Sequence, residues 1–358
     1  MKVAIVGAGL SGLSCAYALK KHGIHPVIFE KESHIGDLLD HPVAMLRIVN
    51  RFQGSAVKYL KKHYRLSLTP VSPLKEITMF GPHKKTVVRG ALGHIFKKNE
   101  DHDSLEKQIA RHVNLPVTFN RYVNPLDIKN HYDYIVCASG NCGLAKALNI
   151  FTPTFNCFSR LSTVLGHFDT TAMKMWVNTE YAKNGYVHLI PYDQNKACLA
   201  LSVNDISYHE LDFYWKQFLE KEKIQYKIIE TRDWESNLGF VSPLQIDNMY
   251  MIGNAGGLVG TFLGFGAINA IESGFISGRC IAKNLHYPKR TASIVKDVKM
   301  KYELRQMMNG FDNKDYDRLI TFLGLPVIKQ LLYNNPLYKI NQSAYIVKLY
   351  KRFMGISH

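Results

Sequence analysis

Three glycines near the start carry the first chemical signal. Gly7, Gly9 and Gly12 give G-x-G-x-x-G immediately after the apolar run Val3 to Val6, and Glu30 closes a second apolar run about twenty residues later. Gly7 allows a tight turn between strand and helix. Gly9 has no Cβ, so a pyrophosphate can approach the backbone of Ala8, Gly9, Leu10 and Ser11. Gly12 lets the following helix pack closely on the sheet. That helix, expected from about Leu10 to His22, points unpaired N–H groups and the positive end of its dipole at the phosphates. A carboxylate at Glu30 accepts hydrogen bonds from ribose hydroxyls and disfavours a 2′-phosphate, and Lys31 follows it at the same end. The motif reads as an adenine-dinucleotide site and by itself leaves FAD and NAD both open.

Two later segments add to it. "YDYIVCASGN" at 132 to 141 reads as a strand ending in a small-residue turn, where Ala138, Ser139 and Gly140 bring backbone close to a cofactor. "MYMIGNAGGLVGTFLGFGAINAIESGFISGRCIA" at 249 to 282 reads as a strand from Met249 to Ile252, then Gly253-Asn254, a glycine-rich loop and a helix from about Gly266 to Asn284. Ala267, Ala270, Gly274 and Gly278 put small residues on one side of that helix, suited to close packing against a sheet or a flat ring. Amides near Gly264, Phe265, Gly266 and Ala267 would set partial positive charge beside a reduced flavin.

The pairing of the early glycine motif with this late segment resembles FAD-dependent oxidoreductases of the para-hydroxybenzoate hydroxylase superfamily, and within them the geranylgeranyl reductase-like group. "GHIFKKNEDHDSLEKQIA" at 93 to 110 and "GYVHLIPYDQNKACLALSV" at 185 to 203 are similar to that group's intermediate elements. Asn254 stands where the family usually has Asp, and Thr261 where it commonly has Pro. The resemblance implies FAD as cofactor and reduction of carbon–carbon double bonds in a prenyl or other lipid-like, small apolar substrate. A flavin monooxygenase and a non-catalytic flavin-binding protein are the rival readings. No second dinucleotide motif exists, so electrons are expected from transiently bound NAD(P)H or from a ferredoxin.

These signals need a scaffold that gathers them. The expected fold class is α/β: a Rossmann-like FAD-binding domain with a parallel sheet, a mainly antiparallel substrate domain, and C-terminal helices. The FAD-binding domain is discontinuous, from 1–65, 91–150 and 236–285. The substrate domain comes from 66–90 and 151–235, and 286–358 forms a helical segment. Within the substrate domain, alternation puts Tyr186 and His188 on one face of a strand, near Tyr192. His188 is a candidate proton donor, against the plainer reading of a packed sheet residue. Lys97 or Lys98 could reach a phosphate, and Cys137 or Cys142 could lie near the cofactor. No catalytic residue is assigned.

Composition narrows the class further. The chain has 358 residues, 46% of them hydrophobic, a net charge of +16 and six cysteines without a C-x-x-C pair. A zinc site or structural disulfides are not expected. The first strand begins at once, without a leader-like stretch, which points to the cytoplasm. After Arg318 the chain carries Lys329, Lys339, Lys348, Lys351 and Arg352 and no acid. That tract reads either as a helical cap or as a basic amphipathic surface making peripheral membrane contact. No RNA- or DNA-binding module is visible, so nucleic acid is not expected as a partner.

Overall fold

A computed structural model describes residues 1–36, 41–98 and 101–335. The structure has two sheets. The first holds six strands in the order Gln245–Ile246, Met249–Met251, Tyr134–Cys137, Val3–Val6, Val27–Phe29 and Val117–Thr118. All its pairings are parallel except the hairpin of Gln245–Ile246 with Met249–Met251. Val6 pairs with both Phe29 and Cys137, and Cys137 with Met251. The carboxyl ends of four strands are therefore level, and the crevice beyond such ends is where open α/β sheets bind ligands.

Burial explains the sequence pattern. Val3, Ala4, Ile5, Ile135, Val136 and Met251 are covered on both faces, which is why these strands read as unbroken apolar runs. Helix Leu10–Lys20 lies on one face, and helix Ala267–Lys283 crosses it. The crossing is backbone to backbone. A Cβ at Gly274 would lie 2.2 Å from the Ser11 carbonyl oxygen, and one at Gly278 would lie 2.8 Å from that of Cys15. The small-residue stripe read from the sequence thus packs at these two positions on the first helix, not on the sheet or a ring.

The second sheet holds eight strands, in the order Lys227–Val241, Phe151–Leu165, Lys196–Asn204, Tyr186–Pro191, Ala172–Trp176, Ser72–Phe80, Lys85–Lys97 and Pro42–Leu46. Its pairings are antiparallel apart from Ser72–Phe80 with Ala172–Trp176. Residues 42–46, 91–97 and 236–241, grouped with the nucleotide unit from the sequence, hydrogen-bond into this second sheet. Strand Lys85–Lys97 runs on well past the boundary drawn at residue 90 because it stays paired, first with Ser72–Phe80 and then with Pro42–Leu46.

Helix Leu211–Lys221 covers one end of the second sheet through Leu211, Trp215 and Phe218. Helices Tyr287–Asn309 and Asn313–Gly324 follow the late helix and close over the strands through Tyr316, Ile320 and Phe322. The basic tract from Lys339 to Arg352, offered from the sequence as a membrane-facing surface, lies outside the described residues. Among the described residues no helix is long and apolar enough to cross a membrane.

The helix crossing is tested by Gly274→Val. With a carbonyl already 2.2 Å from the new Cβ, the helices must separate. The expected loss is about 3 kcal/mol or more of stability, at the upper end of overpacking costs. Thermal unfolding of the purified variant checks it.

Candidate functional site

One cavity of about 560 Å³ runs from the carboxyl ends of the first sheet towards the second. At one end lie Gly7, Gly9, Leu10 and Ser11 of the glycine turn, Glu30 and Lys31. Ala138, Ser139 and Gly140 border it just after strand Tyr134–Cys137. Asn254, Gly264, Phe265, Gly266 and Ala267 form a far wall. Three segments separated by more than a hundred residues thus line a single space, whose size is ordinary for a small-molecule site.

Two long helices begin at its wall, and both begin bare. The N-cap of Leu10–Lys20 is Gly9 and that of Ala267–Lys283 is Gly266, and neither receives a side-chain cap. Four other helices are capped, by Ser55, Ser104, His286 and Asp312, each of which accepts an N–H from the first turn of its own helix, whereas Leu211–Lys221 shares the lack of a side-chain cap but starts away from the cavity. The first intrahelical bonds run from Leu13 to Gly9 and from Ala270 to Gly266. The N–H groups ahead of Leu13 and of Ala270 are therefore left over at the cavity, with both helix dipoles positive there. This is a donor set for anionic groups. A hypothetical Cβ at Gly9 meets nothing within 4 Å, so the bare backbone faces open cavity. The residues fit an extended dinucleotide whose phosphates lie on the first helix.

Three of the residues proposed from the sequence do not line this space. Ala8 is buried, and its N–H donates to Glu30 Oε2 at 2.7 Å. Gly12 faces inward, where a Cβ would lie 2.0 Å from the Gly7 carbonyl oxygen. Gly253 has φ +55°, its N–H donates to Ser273 Oγ, and the position of its missing Cβ is taken by Ser11. All three shape the loops; the cavity-facing atoms are those of their neighbours.

Glu30 does more than the sequence suggested. Its second oxygen accepts the Glu32 N–H at 3.0 Å, so the carboxylate pins the glycine turn to the segment after the second strand. Each oxygen keeps a further lone pair for a ribose hydroxyl. Lys98 lines the cavity with its ammonium 3.6 Å from the buried carboxylate of Glu106, so it is held in an ion pair and not extended into solution. Lys31 lies 3.1 Å from Glu32.

His188 is not on the cavity wall. Burial pushes its imidazole down to about 4, so it is neutral at ordinary pH and makes a poor acid. Its neighbour Tyr186 donates its hydroxyl to the Leu263 carbonyl and serves as a strut under the glycine-rich loop. Cys137, pushed up to about 12 by burial, and Cys142, raised for the same reason, keep their protons. The Cys142 thiol hydrogen-bonds the Asn254 carbonyl. Among the described residues no cluster of metal-ligating side chains occurs.

Sequence reading missed a second set of cavity residues. Arg51 follows the edge strand of the second sheet and pairs with Glu272 and with Asn269 Oδ1. Tyr59 and Tyr64 donate to the other oxygen of Glu272. Ala44, Leu46, Val49, Trp234 and Lys301 complete this wall. No short motif links them, since they are spread over an edge strand, the turn after it, two helices, a long strand and the helix after the late one.

Gly9→Val and Gly12→Val separate binding from packing. Gly9→Val fills open cavity, so the protein should fold with unchanged thermal stability and lose nucleotide binding. Gly12→Val meets backbone and should fail to fold, read as insoluble protein or a large drop in Tm. His188 gives a pH signature. Its folded value lies below its ordinary 6.5, so the neutral form is the one that folding favours. Its contribution is whole above pH 6.5 and is lost as pH falls towards about 4. His188→Leu should flatten the decline of Tm over that window.

Comparison with known proteins agrees with this geometry. Residues 5–42 match the NAD(P)-binding Rossmann-like domain family. Over 38 residues the chain is 55% identical to the glutamate synthase (NADPH) small chain of Halomonas elongata, a match covering 11% of this chain and only 8% of that protein. A geranylgeranyl bacteriochlorophyll reductase-like protein from Thermoplasma acidophilum superposes with TM-score 0.72 at 13% identity, covering 98% of each chain. A flavoprotein/dehydrogenase from Cytophaga hutchinsonii gives TM-score 0.67 at 13% identity over 100% of both chains. The flavin-dependent halogenase CmlS gives 0.57 at 15% identity, covering 90% of this chain and 63% of that one. At such identities the likeness is one of fold. The chain therefore shares the overall fold of these proteins, and its first residues match a Rossmann-like nucleotide-binding unit.

Proposed function

We propose that the chain is an FAD-dependent oxidoreductase that reduces carbon–carbon double bonds of a prenyl or other lipid-like substrate. The observation that carries this reading is the continuity of the cavity. The two uncapped helix starts and the apolar wall of Ala44, Leu46, Val49 and Trp234 share one space. A dinucleotide held at the first helix would extend towards the second, and a hydrocarbon would find apolar surface beside it. Bound FAD would supply the electron transfer, and the protein would orient the substrate and exclude water. Asn254 offers an acceptor and donors to a ribityl chain in place of a carboxylate.

Thermoplasma acidophilum contributes a neighbour described as geranylgeranyl bacteriochlorophyll reductase-like, which supports the reductase reading. The halogenase neighbour supports the rival, in which the reduced cofactor meets oxygen. Donor identity follows neither neighbour: NAD(P)H and a ferredoxin are both compatible with a chain that has a single dinucleotide motif. The basic tract after Arg318 would bring such an enzyme to an anionic membrane surface, where a lipid-like substrate resides.

Reconstitution with FAD tests the reading. Under nitrogen, the dithionite-reduced protein should transfer electrons to geranylgeraniol, seen as return of the oxidised flavin spectrum and as saturated product by mass spectrometry. Failure with every alkene, together with NADH-driven uptake of oxygen into an added substrate, would select the monooxygenase instead.

A further inference from the structure

Helix Tyr287–Asn309 reaches the cavity wall at Lys301. The Lys301 side chain is 8% exposed, and its Nζ donates to Asp297 Oδ2 at 2.8 Å, one turn earlier on the helix. Asp297 is 2% exposed, and its other oxygen has no protein hydrogen-bond partner. The lysine stem runs along the glycine-rich loop, where a Cβ on Gly260 would come within 3.1 Å of Lys301 Cδ and 3.7 Å of Nζ. Val259, Gly264, Phe265 and Gly266 of the same loop form cavity wall. Met300 packs in one cluster with Leu46, Val49 and Phe265, so the helix is tied to the apolar side of the space.

Burying an ammonium and a carboxylate costs several kcal/mol per ion, and an apolar residue of similar size would commonly be as stable or more so. The pair therefore calls for a chemical reason. Burial and the like charge of Arg51 both push the ammonium below the usual lysine range, while Asp297 opposes them. Arg51 also feels the charge of Asp297, and its own partner is Glu272 on the late helix. Loss of a proton from Lys301 would thus leave Asp297 a buried anion still facing a cation. Arg51 itself keeps its proton in proteins. On the wall built by the glycine-rich loop and Arg51, Lys301 is the group able to release one.

We propose that Lys301 is the proton donor of this cavity and that Asp297 positions it. The assignment rests on the reductase reading above. Saturating a carbon–carbon double bond adds a hydride to one carbon and a proton to the other. The hydride, with its electron pair, comes from reduced FAD. The proton comes from the Nζ–H bond of the Lys301 ammonium, whose electrons stay on nitrogen. The neutral amine regains a proton from water after product leaves.

Four reconstituted proteins test this: wild type, Lys301→Met, Lys301→Arg and Asp297→Asn. Lys301→Met should bind FAD and accept electrons from dithionite as wild type does. Its reduction of geranylgeraniol should fall by about 10²–10⁴-fold, the usual contribution of a positioned acid. Lys301→Arg should be equally slow, because a guanidinium keeps the charge but does not give up its proton. A readout independent of turnover is trace acetylation with acetic anhydride across pH, followed at single lysines by peptide mass spectrometry. The midpoint for Lys301 should lie below those of the exposed Lys61 and Lys62, and should drop further in Asp297→Asn. Unimpaired reduction by Lys301→Met or Lys301→Arg beside an active wild type would overturn the donor role alone, as would a Lys301 midpoint equal to those of the surface lysines. A wild type inert towards every alkene would refute the reaction and the donor role together.

Discussion

Two helices that start without caps, held against each other by glycine, are the constraint on which the rest depends. Their leftover N–H groups would be costly if sealed in an apolar core. The fold leaves them instead at the edge of a cavity, where an anionic ligand can satisfy them. Gly274 and Gly278 make this possible by removing side chains from the crossing, so the helices approach until backbone touches backbone. With the crossing fixed, Gly9 and Gly266 fall on opposite parts of one wall.

The parallel sheet sets the floor of the same space. Val6, Phe29, Cys137 and Met251 end level, so the turn that follows each opens in one direction. Glu30 then links two of these turns through the Ala8 and Glu32 amides. A single carboxylate stiffens the loop that must admit phosphate and remains available to a sugar. Apolar burial in the strands thus fixes the position of a polar site without contributing a polar atom to it.

Across the cavity the electrostatics are compensated pair by pair. Arg51 with Glu272, Lys301 with Asp297 and Lys98 with Glu106 are all largely withdrawn from water. The high net charge of the chain therefore does not make a uniformly basic pocket. Within it, backbone donors that carry no counter-ion add to the exposed cations Arg121 and Lys31, while the buried side-chain ions are arranged for local work.

Local patterns in the sequence determined the strand–glycine–helix unit at 3–30, the late glycine-rich segment, the two-sheet α/β class and most of the backbone lining the cavity. They could do so because turn geometry, helix polarity and strand burial are set by neighbouring residues. The sequence also suggested His188 as a donor and grouped 42–46 with the nucleotide unit. Tertiary structure decided otherwise, because burial of an imidazole and the partner of an edge strand depend on segments far away in the chain. It alone brought Arg51, Trp234 and Lys301 to the same wall, from a connection, a strand and a helix whose spacing carries no shared period. It also placed Ala8 and Gly253 behind the cavity wall as loop-shaping residues, while Gly12 packs on the first strand as its place in the motif implies, since which side of a residue is open depends on what the rest of the chain has placed there.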